Sequence, residues 1–258
     1  MIALPLFRIL WPIVLICLCL APGRAAALDP VKEADQLLNS PNLDLPRALC
    51  ALDYYQEALA QARPPQAPIL TRLARTCFII GELTVASQKH KYFEQGQSYA
   101  EMFLKEQPTR VEGRYWLALH LCGQAETGGA MQGRKLLPLI MEEMEKALAI
   151  DEAYDQAGPH RVMGRIYCEA PAWPFSVGDL EKSQKHLARA VLLFPENSTN
   201  RLYLGETLMK LNRPVQARQE LERVQQSPQH ALMPKGLEED RQEARRLLER
   251  INAAQEEK

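Results

Sequence analysis

The chain has 258 residues, of which 47% are hydrophobic and 24% charged, with 31 basic side chains against 32 acidic ones. That length holds either a sizeable core or a string of repeats. The near-even charge balance leaves no electrostatic footprint for nucleic acid and argues against a polyanion partner.

A leader with one charged residue, Arg8, precedes an apolar run from Ile9 to Leu20. The run is too short to span a bilayer comfortably, Pro12 interrupts it, and Pro22 and Gly23 end it. Ala25, Ala26 and Ala27 then offer the small residues that a signal peptidase needs. The expectation is a cleaved signal peptide over residues 1–27 and an exported, periplasmic protein, soluble or peripherally attached to the membrane; a retained anchor is the competing reading. Cys17 and Cys19 follow Ile16 and Leu18, where a lipidated cysteine would follow a small residue. Loss of Arg8 and Arg24 with the leader leaves 29 basic against 32 acidic side chains, a net charge of −3. Cys50, Cys77, Cys122 and Cys168 then remain, on separate predicted helices. Four cysteines allow three pairings and the spacing selects none, so they are read as buried free thiols.

Apolar residues recur every three or four positions and no run alternates with period two, so the fold class is all-α. A short helix spans Pro30 to Asn39. After Pro41 and Pro46 a second runs to about Arg63, with Ala51, Tyr55 and Ala58 on one face. Pro64, Pro65 and Pro68 end it and set up a third, through Leu73, Ala74, Cys77 and Ile80 to about Leu83. Its partner runs from about Lys89 to Gln107, with Gly96 as the small contact and Pro108 as the stop. A third pair opens near Val111 with Leu117, Ala118 and Leu121, and closes with Met144 and Ala147. Between its helices, Glu126 to Lys135 contains three glycines and reads as an extended loop, with Pro138 in the first turn of the next helix.

The fourth pair sets Met163, Gly164 and Tyr167 against Ser183, Leu187 and Ala190, with Pro195 following. The fifth sets Leu204, Gly205 and Leu208 against Ala217, Leu221 and Val224, with Pro228 following. A large-small-large face meeting a small-large-small one, closed by proline, resembles the tetratricopeptide signature. The small residues let two helix backbones approach closely. Gly164 and Ser183 stand 19 positions apart, against 12 for Gly205 and Ala217, which places a seven-residue insertion in the turn Ala170 to Asp179. A loop from Gln229 to Gly236 leads to a charged amphipathic helix, Leu237 to Ile251, that caps the open end of the array; Asn252 to Lys258 should fray. The expected architecture is a tetratricopeptide-like helical-repeat solenoid of about five helix pairs plus a C-terminal capping helix. Its units are a signal peptide (1–27), an N-terminal helix pair (28–65), the repeats (66–229), and the capping helix and tail (230–258).

The segment from about Arg114 to Gln226 also resembles the T component of tripartite ATP-independent periplasmic (TRAP) transporters. Tyr115-Trp116 with Leu117-Ala118 carries part of this, as do Gly164-Arg165-Ile166-Tyr167 and Ala190 with Phe194-Pro195-Glu196-Asn197. The discriminating part is the inserted turn, Ala170-Pro171-Ala172-Trp173-Pro174-Phe175-Ser176-Val177-Gly178-Asp179, because the helical spacing alone would match any tetratricopeptide array. The resemblance covers under half the chain. It implies about five helix pairs, no catalytic residues, and work beside a periplasmic solute-binding protein.

Other chemistry finds little support. Gly128 and Gly133 have the gap of a phosphate loop, but Arg134 and Lys135 follow and no strand precedes. His120 and Cys122 have no second pair at metal-ligand spacing. Glu142 and Glu143 read as a solvated helix face, and no cofactor is implied. Asn197-Ser198-Thr199 forms a glycosylation sequon.

What remains is surface. The first helix of each pair lines the concave side, which directs Arg75, Phe78, Tyr115, Leu119, Arg161, Arg165, Glu206 and Met209 towards a groove. Arginines among aromatic and aliphatic residues suit a carboxylate-bearing small organic ligand or an acidic peptide. On this reading Ala at Arg161 and Arg165 weakens binding and leaves helicity intact; the other reading has both arginines only solvating the face or pairing with neighbouring acids. Trp173 and Phe175 either contact a partner or plug the array beneath their turn. The function expected is non-catalytic binding, with a TRAP solute receptor or another envelope protein as partner and self-association as a further outcome.

Overall fold

The computed structural model describes residues 29–228 and 236–256. Among them are eleven helices and no strand: α1 Pro30–Leu38, α2 Leu45–Gln61, α3 Ala67–Leu83, α4 Ala86–Glu106, α5 Val111–Thr127, α6 Gly129–Ile150, α7 Tyr154–Glu169, α8 Leu180–Leu193, α9 Ser198–Lys210, α10 Pro214–Gln226 and α11 Gly236–Glu256. The first ten form five hairpins, each packed on the next, and α11 lies across α9 and α10. The all-helical solenoid read from the spacing is therefore the fold. The expected signal peptide and most of the loop at 229–236 lie outside the described residues. None of the described helices is long and apolar enough to cross a membrane.

Helix starts are set by short polar side chains. The Asp29 carboxylate accepts from the amides of Val31 and Lys32, Asp44 caps α2, Asp179 caps α8 and Asn197 caps α9. Each satisfies amides that have no partner within the helix. The start of α3 is capped from a distance, because Glu106 at the end of α4 accepts from the amides of Gln66 and Ala67, each at 2.9 Å.

The small positions of the repeat pattern are the crossing points. A methyl on Gly164 would run into Leu187, and Ser183 Oγ donates to the Gly164 carbonyl at 2.8 Å. On Gly205 a methyl would meet Leu221 at 2.7 Å. The α4–α5 crossing works the same way, with Gly96 facing the His120 ring. Three larger cores result, one under α1–α3, one centred on α5 and α6, and one joining α8 to α11, with a small fourth of Ala67, Leu70 and Phe103 between α3 and α4.

Five expectations need correcting. Glu143 is not on a solvated face: it is buried and pairs with Arg114 and Lys146, each at 2.8 Å. Glu126 to Lys135 is not a loop: α5 and α6 are separated by Gly128 alone, with Gly129 at φ +79° making the turn, and Pro138 lies inside α6. Ala130, Met131, Gln132, Arg134 and Lys135 are good helix formers, and together they outweigh Gly133. α11 continues to Glu256, five residues past Ile251. Of the four thiols, all free, Cys50 is exposed and Cys122 half-buried; only Cys77 and Cys168 are buried. The sequon asparagine is 1% exposed and spent on capping α9 and bonding Gln156, so the folded chain does not present it for glycosylation.

Candidate functional site

The first helices of the middle pairs line one groove of about 660 Å³. Phe78, Ile79 and Glu82 come from α3, Leu119, Cys122 and Glu126 from α5, Arg161, Arg165, Ile166 and Glu169 from α7, and Tyr203 from α9. α11 closes the far side with Gly236, Glu239 and Asp240. Asp240 is held there by the Ser198 and Thr199 hydroxyls, which donate to its Oδ2 at 2.6 and 2.8 Å.

The floor is a buried polar network around Arg161, which is 5% exposed. Its Nη2 donates to Asp155 Oδ2 at 2.9 Å and to the Tyr115 hydroxyl at 3.3 Å, and Tyr115 donates to the same carboxylate at 2.5 Å. Its Nη1 donates to Asn200 Oδ1 and to the carbonyls of Asp155 and Gln156. Burial works against the Arg161 charge, yet Tyr115 and Asp155 hold its pKa above the ordinary arginine value. The network has a backbone cause. Asp155, Gln156 and Ala157 have φ of 49°, 56° and 62°, one left-handed turn ahead of the right-handed helix that begins near Gly158 and Pro159. Such geometry costs about 1–2 kcal/mol per residue with a side chain. It persists because Arg161 and Asn200 take up the carbonyls it turns inward, and because Gly158 leaves room for the Tyr115 ring.

Arg165 is paired as well. It contacts the Glu206 carboxylate, reaches Glu169 at 3.5 Å and lies 4.5 Å over the Tyr203 ring. Both groove arginines are thus neutralised within the chain. Five acids line the groove against these two cations, and Glu82, Glu126 and Glu239 form no ion pair among the described residues. Glu82 is exposed at the rim, but the walls shield it enough that desolvation raises its pKa, with Lys89 opposing. The expected home for a carboxylate ligand is therefore an apolar trough with an acidic rim.

Of the residues predicted to face the groove, Phe78, Tyr115, Leu119, Arg161 and Arg165 line it, and Glu206 anchors Arg165 at its wall. Arg75 does not; it faces a second cavity at the other end of α3. Met209 packs against the core of α8 to α11. Trp173 and Phe175 do not plug the array. They are 85% and 80% exposed on the α7–α8 turn, which closes on itself through the Gly178 amide to the Pro171 carbonyl at 2.9 Å and starts next to Glu169 at the groove's rim. Sequence reasoning missed the rim acids Glu82 and Glu126, and took α11 only as an end cap and not as a wall. His120 is fully buried, its Nε2 on the Ala74 carbonyl at 3.0 Å between Phe78 and Phe93. No group of three or more potential metal ligands occurs among the described residues.

A solenoid of antiparallel hairpins with a lined concave face defines a tetratricopeptide-type repeat protein, a class whose members generally hold other proteins. A tetratricopeptide-repeat family model matches residues 175–232. The crystal structure of a thermophilic TPR protein from Thermus thermophilus superposes with a TM-score of 0.64 at 19% identity, covering 85% of this chain and 97% of that one, which shows the fold. The family described as regulator of microtubule dynamics protein 1-3 matches residues 31–199, well over half of the chain, and the chain belongs to it. No curated protein matches the chain.

Proposed function

We propose that the chain is a non-catalytic scaffold whose concave groove holds a segment of another protein that carries apolar and basic side chains. One observation supports this above others: Phe78, Leu119, Ile166 and Tyr203 form an apolar trough whose rim carboxylates Glu82, Glu126 and Glu239 have no ion-pair partner among the described residues. Apolar anchors supply area, and cations meeting unpaired carboxylates supply selection against acidic segments. Trp173 and Phe175, on a self-closed turn beside the rim, extend the contact as the segment leaves the groove.

The test is fluorescence anisotropy with a labelled peptide in which lysines alternate with leucines, and a second in which glutamates replace the lysines. The lysine peptide should bind, and Glu82→Lys with Glu126→Lys should weaken it at least about tenfold, roughly 1.4 kcal/mol. Equal binding of both peptides, or no response to charge reversal, rejects the groove as described.

Two finer roles share this groove. The family's description speaks of regulating microtubule dynamics, which would make the partner a protein acting there. The turn from Ala170 to Asp179 resembles the TRAP T component, which would make the partner a periplasmic solute-binding protein and the chain an exported one. Tubulin polymerisation with and without the purified chain tests the first role, and capture of a solute-binding protein from periplasmic extract tests the second.

A further inference from the structure

Where the groove takes the C-terminal half of α3 and the α5 face from Tyr115 to Glu126, a second cavity of about 690 Å³ takes the N-terminal half of α3 and Glu112 and Trp116 of α5, together with α1, α2, the end of α4 and the first residue of α7. Its walls are aromatic: Tyr55, Phe103, Trp116 and Tyr154 face it. The Trp116 ring is fixed, because its Nε1–H donates to the Tyr154 hydroxyl at 3.1 Å and it packs edge-on against Tyr115. Two carboxylates also face the cavity, and both are already satisfied. Asp35 accepts from Arg72 Nε at 3.0 Å and from the Tyr55 hydroxyl at 2.5 Å, and Glu112 pairs with Arg110 at 2.5 Å.

Arg75 is left over. One turn along α3 from Arg72, it makes no hydrogen bond or ion pair among the described residues. It lines the cavity together with Asp35, Tyr55 and Tyr154, and its charge is felt at all three. A planar five-donor cation in an aromatic recess, with every nearby acid occupied, is a site wanting an anion. The volume falls within the roughly 300–1,000 Å³ of small-molecule pockets.

We propose that this cavity binds a small organic anion, a carboxylate, sulfonate or phosphate on an aromatic or aliphatic body, with Arg75 taking the charge and Trp116 and Tyr154 taking the body. The site is separate from the groove and does not depend on the scaffold reading.

The probe is 8-anilinonaphthalene-1-sulfonate, with N-phenyl-1-naphthylamine as its uncharged counterpart. Both are titrated into the full chain carrying Trp11→Phe and Trp173→Phe, so that Trp116 is the remaining indole. One equivalent of the sulfonate should bind and quench Trp116. Arg75→Gln should weaken the sulfonate about tenfold, leave the uncharged probe within twofold and leave the melting temperature nearly unchanged, since Arg75 has no hydrogen bond or salt bridge to lose among the described residues. Arg75→Lys should recover part of the affinity. Equal affinity of the two probes for the unsubstituted site, sulfonate binding that ignores Arg75→Gln, or binding without quenching of Trp116 would each overturn the proposal.

Discussion

The groove and the aromatic cavity are built on the same two helices, and both contain arginines, yet they use them in opposite ways. In the groove, Arg161 is surrounded by Asp155, Tyr115 and Asn200, and Arg165 by Glu206 and Glu169, so the guanidinium charge is consumed in holding helices together. In the cavity, Asp35 and Glu112 are taken by Arg72 and Arg110, and Arg75 is left with no hydrogen bond or salt bridge to an acid among the described residues. An arginine facing a concavity is a binding group only when the local count of carboxylates leaves it over. Position alone does not decide this.

The difference is sharpest in what each arginine does for stability. Arg161→Ala should cost about 3–5 kcal/mol, since it strands the Asp155 carboxylate and releases the carbonyls of the left-handed turn. Arg75→Ala should change stability by no more than about 0.5 kcal/mol. Denaturant melts of the two variants read this directly, and equal losses would erase the distinction. The expectation that Arg161 and Arg165 can both be removed with the helices intact is accordingly replaced. Arg161 is part of the frame, and a ligand assay on that double variant would report unfolding.

pH should separate the two sites next. Burial lowers the His120 pKa to about 4, and that ring lies directly under the groove wall formed by Phe78. The unfolded chain takes up this proton near the ordinary value of about 6.5, the folded one only near 4. Between those values the unfolded state binds more protons, so stability falls as pH drops through that window, by about 2–3 kcal/mol for this residue. His186 is depressed to about 4 in the same way, by burial and then by His160, and adds to the fall. On the cavity side, burial acts to raise Asp35, but bonds from Arg72 and Tyr55 outweigh it and hold the pKa below the ordinary value, so the carboxylate stays ionised throughout this window. In His120→Gln the slope between pH 6.5 and 4 should lose His120's share. An unchanged slope would mean that the ring is not the proton acceptor.

What could be read in advance follows the distance over which each feature is decided. Gly164 with Ser183 and Gly205 with Leu221 were legible because helix crossings repeat a local spacing that needs only one small residue per turn. The insertion at Ala170 to Asp179 was legible by counting between those positions. The pairing of Arg165 was not, because Glu206 lies 41 positions away on another hairpin. Nor was the left-handed turn at Asp155 to Ala157, which Asp155 tolerates but Gln156 and Ala157 do not favour, and which Arg161, Asn197 and Asn200 hold. Gly158 and Pro159 mark a break in the chain, but not its hand. Arg75 and Phe78 share one helix face in sequence, and only the stacking of the neighbouring hairpins sends them to different cavities.

The smallest effect expected bears on whether the exposed turn belongs to the groove side in function as well as in space. Trp173 and Phe175 bury little against the chain, and the turn is closed by backbone bonds from Phe175 to Ala172 and from Gly178 to Pro171. Trp173→Ser with Phe175→Ser should therefore alter stability by less than about 0.5 kcal/mol. Removing two large exposed aromatics at no structural cost isolates whatever they do outside the chain. If the turn extends the groove's contact, the double variant should weaken the lysine–leucine peptide several-fold and leave sulfonate binding at Arg75 untouched, because the two sites meet α3 at opposite ends and the turn follows Glu169 on the groove side. A loss of sulfonate affinity would instead couple the sites, and the separation drawn between groove and cavity would fail.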